Sequence, residues 1–493
     1  MKFSFETKDF IECDLNSDQL AVVGDDFTLT WQTFSQRVDS LCNQLKMIGA
    51  ENLRYPVIIY GHKSANMLVS MYALMKMNIT YIPIDVIYPA ERLKKVISIS
   101  KSQLILITST DVLDLDSSIL QIHLSTESKI SIPSGVFQFE KKSLEADPLI
   151  YIIFTSGSTG EPKGVQISTE AVQSFVRWMC SDFGFSSADI FINTAILSFD
   201  LSVFEVMTFG ALGATLVLTS KECASNPKLF VEHIDKNQGS VLVSTPSFIL
   251  AYSRLKDNQH LSSLKTFLFC GEVLPHGTAK NLRTSFPFAK VLNTYGPTEA
   301  TVATTLVEIT DEVLAKFDSL PVGSSKPESE LLIEEGEIVI VGPNVSMGYL
   351  NNPELNAAKF VTINGQRAFR TGDTGYLENN MLFFNGRNDD LVKLHGYRIE
   401  LNEITAALNN LPYLVQGATI ALKRDGLVKK IVSLVQLTDE SQNKTVDEIK
   451  TDLGKIIPNY MIPSDIKFVD QIPLNSNGKA DKALLTKIYL GEQ

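Results

Sequence analysis

The strongest constraint on this chain is the run Thr155-Ser156-Gly157-Ser158-Thr159-Gly160-Glu161-Pro162-Lys163-Gly164-Val165. The apolar stretch before it, Leu149-Ile150-Tyr151-Ile152-Ile153-Phe154, has the length and β-branched content of a buried strand. Small hydroxyl residues and glycines then crowd into one turn. Glycine lets the backbone approach a ligand closely, and hydroxyls with free backbone N–H groups form an anion cradle. Lys163 adds a positive charge. The matching guest is a polyphosphate. Short Gly/Ser runs are more often linkers, but here a buried strand leads in and an apolar-patterned segment leads out. The nucleoside-triphosphatase loop is a different object. It needs Gly-x4-Gly-Lys-Ser/Thr running into a helix, whereas Pro162 precedes this lysine and Gly164-Val165 follow it.

A chain of 493 residues is too long for one core and predicts two or more domains. A net charge of -12 disfavours nucleic acid and anionic membrane surfaces as partners. No apolar run approaches a membrane span, so no membrane insertion is expected. The start Met1-Lys2-Phe3-Ser4-Phe5-Glu6 lacks the apolar region of a secretion signal, which predicts a cytoplasmic protein. Cys13, Cys42, Cys180, Cys223 and Cys270 are odd in number and widely spread. That fits a reducing compartment and predicts no zinc site. The histidines are scattered too, so neither a Ser/His/Asp triad nor a transition metal is expected.

Residues 17–150 alternate between helical and strand patterns, which predicts mainly parallel sheets flanked by helices. Thr30 is placed to cap a helix continuing through Val38, Leu41 and Leu45. Pro56 to Gly61 and Gln103 to Thr108 read as strands. Ser64 to Met77 reads as a helix whose methionine stripe belongs to the core. The stretch Pro83-Ile84-Asp85 with Tyr88-Pro89-Ala90-Glu91-Arg92-Leu93 is read as structural packing, Pro89 suiting the first turn of a helix.

Further along, several strings end apolar strands, where ligands gather in parallel sheets. Asp200, in Phe199-Asp200-Leu201-Ser202-Val203-Phe204-Glu205, stands among apolar neighbours. Burying a carboxylate costs several kcal/mol unless a cation meets it. That cation is either a lysine or arginine of the fold or the ammonium group of a substrate. In Asn293-Thr294-Tyr295-Gly296-Pro297-Thr298-Glu299-Ala300-Thr301, Tyr295 suits stacking on an adenine, with Asn293 reading its edge. Glu299 is a hard oxygen ligand suited to Mg2+ beside phosphates. Asp373, after the glycine of Arg370-Thr371-Gly372-Asp373, suits the two hydroxyls of a ribose. Leu320 to Gly336 predicts a short β-hairpin. After Gly386-Arg387-Asn388-Asp389-Asp390 the pattern becomes that of a small α+β domain, with a helix from Asn402 to Leu408 and a strand from Ile431 to Val435.

Taken together, these strings resemble the adenylate-forming enzymes: acyl-CoA synthetases, luciferases and amino-acid adenylation domains. The likeness runs from about Leu29 to Lys479. It implies an α/β fold with a large N-terminal domain of sheets flanked by helices over 1–388. A small mobile α+β domain over 389–493 would turn about Asp389. It implies ATP as substrate, with Thr155, Ser156, Thr159 and Lys163 on the phosphates. The nucleotide would further meet Asn293, Thr294, Tyr295, Gly296, Pro297, Thr298, Asp373, Phe384, Asn385, Gly386 and Arg387. Mg2+ would sit on Glu299. Lys479, in Leu474-Asn475-Ser476-Asn477-Gly478-Lys479, matches the family's catalytic lysine.

In this family an aspartate at position 200 marks α-amino-acid substrates. Matching positions place Asp200, Leu201, Phe204, Ser244, Leu268, Cys270, Thr294, Val302 and Ala303 around the side chain, leaving room for something near a methyl group. Cys270 is the family's candidate for the wall that sets handedness. The segments around Cys270, Asn293 and Lys393 to Arg398 most resemble the branch that loads D-alanine onto a separate phosphopantetheinylated carrier protein for esterification of teichoic acid. A free-standing adenylation enzyme for a small L-amino acid is the alternative, and an acyl-CoA ligase fits less well with Asp200.

Overall fold

The computed structural model of the protein describes residues 18–124, 139–140, 149–157, 161–252, 261–387, 390–424, 427–474 and 480–491. These form two compact units. One takes in the described residues of Met1–Val86, Ile99–Ile153 and Gly164–Gly386, the other those of Ile87–Ser98, Phe154–Lys163 and Arg387–Gln493. The proposed domain limits meet at Asn388 and Asp389, which lie outside the described residues.

Among the described residues the first unit carries a nine-stranded sheet. Its parallel heart runs Lys290–Tyr295, Thr266–Phe269, Val241–Ser244, Ile190–Asn193, Thr215–Leu218 and Leu20–Val23. Antiparallel strands close both edges: Thr305–Glu308 with Ser324–Ser325 on one side, Thr28–Thr30 on the other. A six-stranded sheet follows the order Leu120–His123, Leu104–Ile107, Val57–Tyr60, Tyr81–Ile84, Leu149–Thr155, Lys163–Ser168. The strand predicted before the Gly/Ser turn is therefore Leu149–Thr155, buried along nearly its whole length. The alternation of strands and helices leads to parallel sheets here, as predicted.

A further sheet is antiparallel: Glu330–Glu334, Glu337–Val341, Gln366–Glu378 and Phe360–Ile363, with Met381–Arg387 beside Gln366–Glu378. The hairpin expected within Leu320 to Gly336 does not form there: Ser324–Ser325 joins the nine-stranded sheet, and Glu330–Glu334 pairs with Glu337–Val341 as a hairpin across Gly336. This hairpin turns on Glu335 and Gly336, at φ of 52° and 83°, a left-handed pair that suits the twist of a two-residue hairpin.

Thr30 caps the helix Trp31–Met47 by accepting from the Thr33 amide, and Ser64 caps Ala65–Lys76 in the same way through Met67. The apolar stripe of the second helix is core, as predicted: Met67, Met71 and Leu74 are buried, and Met77 at its end is half-buried against the same core. Trp31 stacks on Phe209 at 5.3 Å between ring centroids, and Tyr72 reaches past Gly210 to donate to the Val206 carbonyl at 2.5 Å. A Cβ on Gly210 would meet the Tyr72 hydroxyl at 2.1 Å, so only glycine fits. Burying side chains of this size contributes about 1.5–3 kcal/mol each.

In the second unit a hairpin, Leu391–Leu394 with Tyr397–Glu400, turns on His395 and Gly396, again both left-handed. The helix Leu401–Asn409 follows, then a sheet of Leu414–Arg424, Leu427–Leu437 and Asp465–Phe468. The predicted helix and strand both fall inside these elements. The helix Ala90–Ser100 contributes most of its length to this unit. Tyr397 stacks on Tyr460 at 4.0 Å, and Tyr88 meets the same ring edge-on at 6.4 Å.

Candidate nucleotide and amino-acid site

In the first unit several candidate residues gather at the carboxyl ends of three neighbouring parallel strands, Val241–Ser244, Thr266–Phe269 and Lys290–Tyr295. Ser244 pairs in register with Phe269, and Phe269 with Asn293. Ser244, Cys270, Asn293 and Thr294 therefore share one end of the sheet. Thr294 donates to the Phe269 carbonyl at 2.8 Å, and Asn293 donates to the Pro321 carbonyl at 2.8 Å. The Asn293 amide thus has a backbone partner that the sequence did not reveal. Leu268 is fully buried one step below them.

Three candidate carboxylates, Asp373, Asp200 and Glu299, meet on the short turn after Tyr295. Tyr295 donates to Asp373 at 2.5 Å, and its ring lies 5.9 Å from that of Phe384. Thr298 donates to Asp200 at 2.6 Å. Glu299 is fully buried and accepts from the Tyr349 hydroxyl at 2.7 Å. Gly296 and Pro297 lead into the 3-10 turn Thr298–Ala300. A Cβ on Gly296 would fall 2.5 Å from the Ala303 Cα, so the close return of the chain demands glycine there. Beyond it, Thr301 and Val302 have φ of 54° and 68°. A left-handed backbone at a β-branched residue costs on the order of 1–3 kcal/mol and marks a constrained site.

Asp200 opens the 3-10 turn Asp200–Ser202, which feeds the helix Val203–Leu212. The sequence suggests a fully buried carboxylate. The structure leaves Asp200 half-buried, because it sits at the start of a turn rather than within a strand or helix. Leu201 is half-buried against the core, and Phe204 is fully buried 5.2 Å from Phe175, inside the core itself. The Cys270 thiol lies 3.8 Å from the Val302 carbonyl, to which it donates.

Asp373 is buried, beside a bulge inside the strand Gln366–Glu378. The register slips between Glu337 and Val339, and Gly372, at φ 75°, absorbs the slip. The Glu337 carboxylate accepts from the Gly372 amide at 2.7 Å, and the Thr371 hydroxyl accepts from the Asp373 amide at 3.0 Å. Asn385 is exposed, and Gly386 has φ 145°.

The Gly/Ser turn belongs to the second unit, where its donors meet acceptors that the sequence did not point to. Ser156 donates to the Arg398 carbonyl at 2.9 Å, and the Gly157 amide donates to Glu403 at 3.2 Å. Lys163 pairs with Glu400 at 3.3 Å. Arg92 donates to the other Glu403 oxygen at 2.7 Å, both side chains being nearly dry. Burial raises the Glu403 carboxyl above its ordinary value, although Arg92 opposes this. The anion cradle read from the sequence therefore holds carboxylates of its own unit in this arrangement. A hydroxyl and glycine turn marks the donors, but a glutamate on a distant helix leaves no matching mark. The Thr155 hydroxyl is buried with no partner among the described residues. Arg387 is half-buried in this unit. Thr159, Asp389 and Lys479 lie outside the described residues; Leu474 and Ala480, on either side of 475–479, pair as an antiparallel bridge.

Among the described residues no group of three or more His, Cys, Asp or Glu is placed to hold a metal. None of the described helices is long and apolar enough to cross a membrane.

The profile of the AMP-binding enzymes matches residues 12–350, and that of the AMP-binding enzyme C-terminal domain matches residues 403–479. The protein belongs to the AMP-binding enzyme family. Within that class it is similar to D-alanine--D-alanyl carrier protein ligases. It is 39% identical to the one from Bacillus licheniformis over 487 residues, covering 95% of this chain and 96% of the relative. It is 38% identical to the one from Bacillus anthracis over 493 residues, covering 96% and 97%. Two solved structures share the fold. An adenylation domain from Vibrio cholerae in complex with glycyl-adenosine-5'-phosphate aligns with a TM-score of 0.80 at 22% identity, over 99% of both chains. An o-succinylbenzoate CoA synthetase from Bacillus subtilis aligns with a TM-score of 0.80 at 19% identity, over 95% of both.

Proposed function

We propose that the protein uses ATP to activate D-alanine and loads it onto a separate carrier protein. A carboxylate oxygen of the amino acid bonds to the α-phosphorus of ATP, the bond to the bridging oxygen breaks, and pyrophosphate leaves. The carrier's phosphopantetheine thiolate then attacks the acyl carbon and AMP departs. The observation that carries the reading is the turn from Tyr295 to Glu299. One short segment hydrogen-bonds the amine-receiving carboxylate Asp200, through Thr298, and the ribose-receiving carboxylate Asp373, through Tyr295. Amino acid and nucleotide are thereby held in one register, and the effective concentration of one reactant at the other rises accordingly. The names of the curated relatives support the same substrate and acceptor.

In this reading Asp200 receives the ammonium group, and an acid lacking it leaves the carboxylate unpaired. Leu201, Ser244, Leu268, Cys270 and Val302 border a methyl-sized side chain, with Phe204 packed behind them. Thr155, Ser156, Thr159 and Lys163 hold the phosphates. The buried, unpartnered Thr155 hydroxyl suits that task. The base and ribose meet Asn293, Thr294, Tyr295, Asp373, Phe384, Asn385, Gly386 and Arg387. Lys479 bridges the substrate carboxylate and the α-phosphate, where charge shifts in the transition state. Asp389 is the hinge that later moves Lys479 away.

Glu299 offers one buried carboxylate, and Mg2+ takes one or two carboxylates plus phosphate oxygens and water, so the residue fits that ion. Mg2+ there supplies positive charge to the pyrophosphate. The reaction belongs in the cytoplasm, where ATP is supplied, upstream of teichoic-acid esterification.

The test is ATP–pyrophosphate exchange across D-alanine, L-alanine, glycine, D-serine and a fatty acid, followed by transfer to a phosphopantetheinylated carrier. D-alanine should lead L-alanine by about tenfold or more in kcat/KM. Exchange driven best by an L-amino acid or by the fatty acid overturns the reading.

A further inference from the structure

Two consecutive β-branched residues, Thr301 and Val302, are held in the left-handed region, both buried. Side chains of this kind avoid that conformation because Cβ crowds the backbone, and it persists only where the surroundings over-determine it. The surroundings here centre on Asn344, a fully buried residue remote in sequence. Its side-chain amide donates to the Ala300 carbonyl at 3.1 Å and to the Thr304 hydroxyl at 2.9 Å, one on each side of the strained pair. Its backbone carbonyl accepts from the Thr301 hydroxyl at 2.7 Å. Ser329 donates to its Oδ1 at 2.7 Å and so fixes which way the amide faces. Two residues on, the Ser346 amide donates to the Glu299 carbonyl at 2.8 Å, which anchors the start of the same turn. The Val302 carbonyl in turn accepts from the Cys270 thiol.

We propose that Asn344 is a positioning residue for amino-acid selectivity. It clamps the strained turn and thereby sets the wall that Val302 and Cys270 present to the substrate. The inference rests on the amino-acid-activating function proposed above and goes beyond it, since Asn344 touches neither the amino acid nor the nucleotide in that reading. The clamp explains why two residues disfavoured at positive φ stand where glycine would be easier: Val302 supplies bulk that glycine lacks, and Asn344 holds that bulk in place.

The experiment is ATP–pyrophosphate exchange on the full chain with Asn344→Ala, using the parent's best amino acid and its mirror image. The KM for the amino acid should rise about tenfold, with the KM for ATP changed by less than about threefold. The ratio of kcat/KM between the two enantiomers should fall about tenfold. Glycine adopts positive φ freely, so adding Asn344→Ala to Val302→Gly should change the ratio by less than about threefold. Should Asn344→Ala fail to fold, Asn344→Asp keeps the size, lacks the donated hydrogens and carries the same expectation. An unchanged enantiomer ratio in a folded variant overturns the proposal, because a purely structural role lowers the active fraction for both enantiomers alike. A parent that prefers an amino acid other than D-alanine overturns the substrate assignment instead, and the ratio still decides the role of Asn344.

Discussion

Asp200 shows what a single residue carries. Its charge and its place after an apolar stretch are legible in the sequence; its partner Thr298, 98 positions away, is not. The Thr298 hydroxyl brings no positive charge to the carboxylate, and a hydrogen bond from an ammonium group to it contributes about 1.5–3 kcal/mol. Asp200→Asn should therefore raise the amino-acid KM by about 10–100-fold in the exchange assay while the ATP KM stays close to the parent's. Equal rises in both would place Asp200 outside the amine site. Glu299 and Asp373 follow the same pattern. Residue type and neighbouring glycine point to a ligand role, but their hydroxyl partners Tyr349 and Tyr295 come from folding.

At the scale of elements, the helix Leu401–Asn409 is the instructive case. Its amphipathic spacing gives it away, yet nothing local says that Glu403 turns inward to meet Arg92 and the Gly157 amide. Removing one member of a buried ion pair leaves an uncompensated charge, whereas replacing both by apolar groups of like volume is often neutral. Glu403→Met should thus cost the second unit about 3–5 kcal/mol in denaturant unfolding, and the double change with Arg92→Met should recover most of it. A double variant as unstable as the single one would mean that the Gly157 amide, rather than Arg92, depends on Glu403. The parallel strands are legible from the sequence. Their apolar runs are continuous because both faces are covered. The strand Gln366–Glu378 is less legible, since its bulge at Gly372 interrupts the alternation that marks antiparallel strands.

For the molecule as a whole, stability carries the mark of buried cations. Lys326 is almost wholly buried, and burial lowers its pKa to about 8, against 10.5 when free, although Glu328 opposes the shift. Below pH 8 the lysine is charged in both folded and unfolded chains, and the folded state bears the full penalty. Between about pH 8 and 10.5 the unfolded chain binds more protons, so this residue makes stability rise with pH. Lys326→Met should be more stable than the parent at pH 7.5, and that advantage should shrink by pH 9.5. Parallel unfolding curves at both values would show that Lys326 titrates normally. Residue order alone determined the donor-rich Gly/Ser turn, the apolar strands, the capped helices and the family. Each is a local property, set by side-chain chemistry and period along a few consecutive positions. Only the tertiary structure decided which carboxylates occupy the cradle, which hydroxyls meet Asp200 and Asp373, and that Asn344 restrains the strained turn at Val302. Those pairings join residues tens to hundreds of positions apart, and a hydrogen bond has no signature in a chain until folding closes the distance.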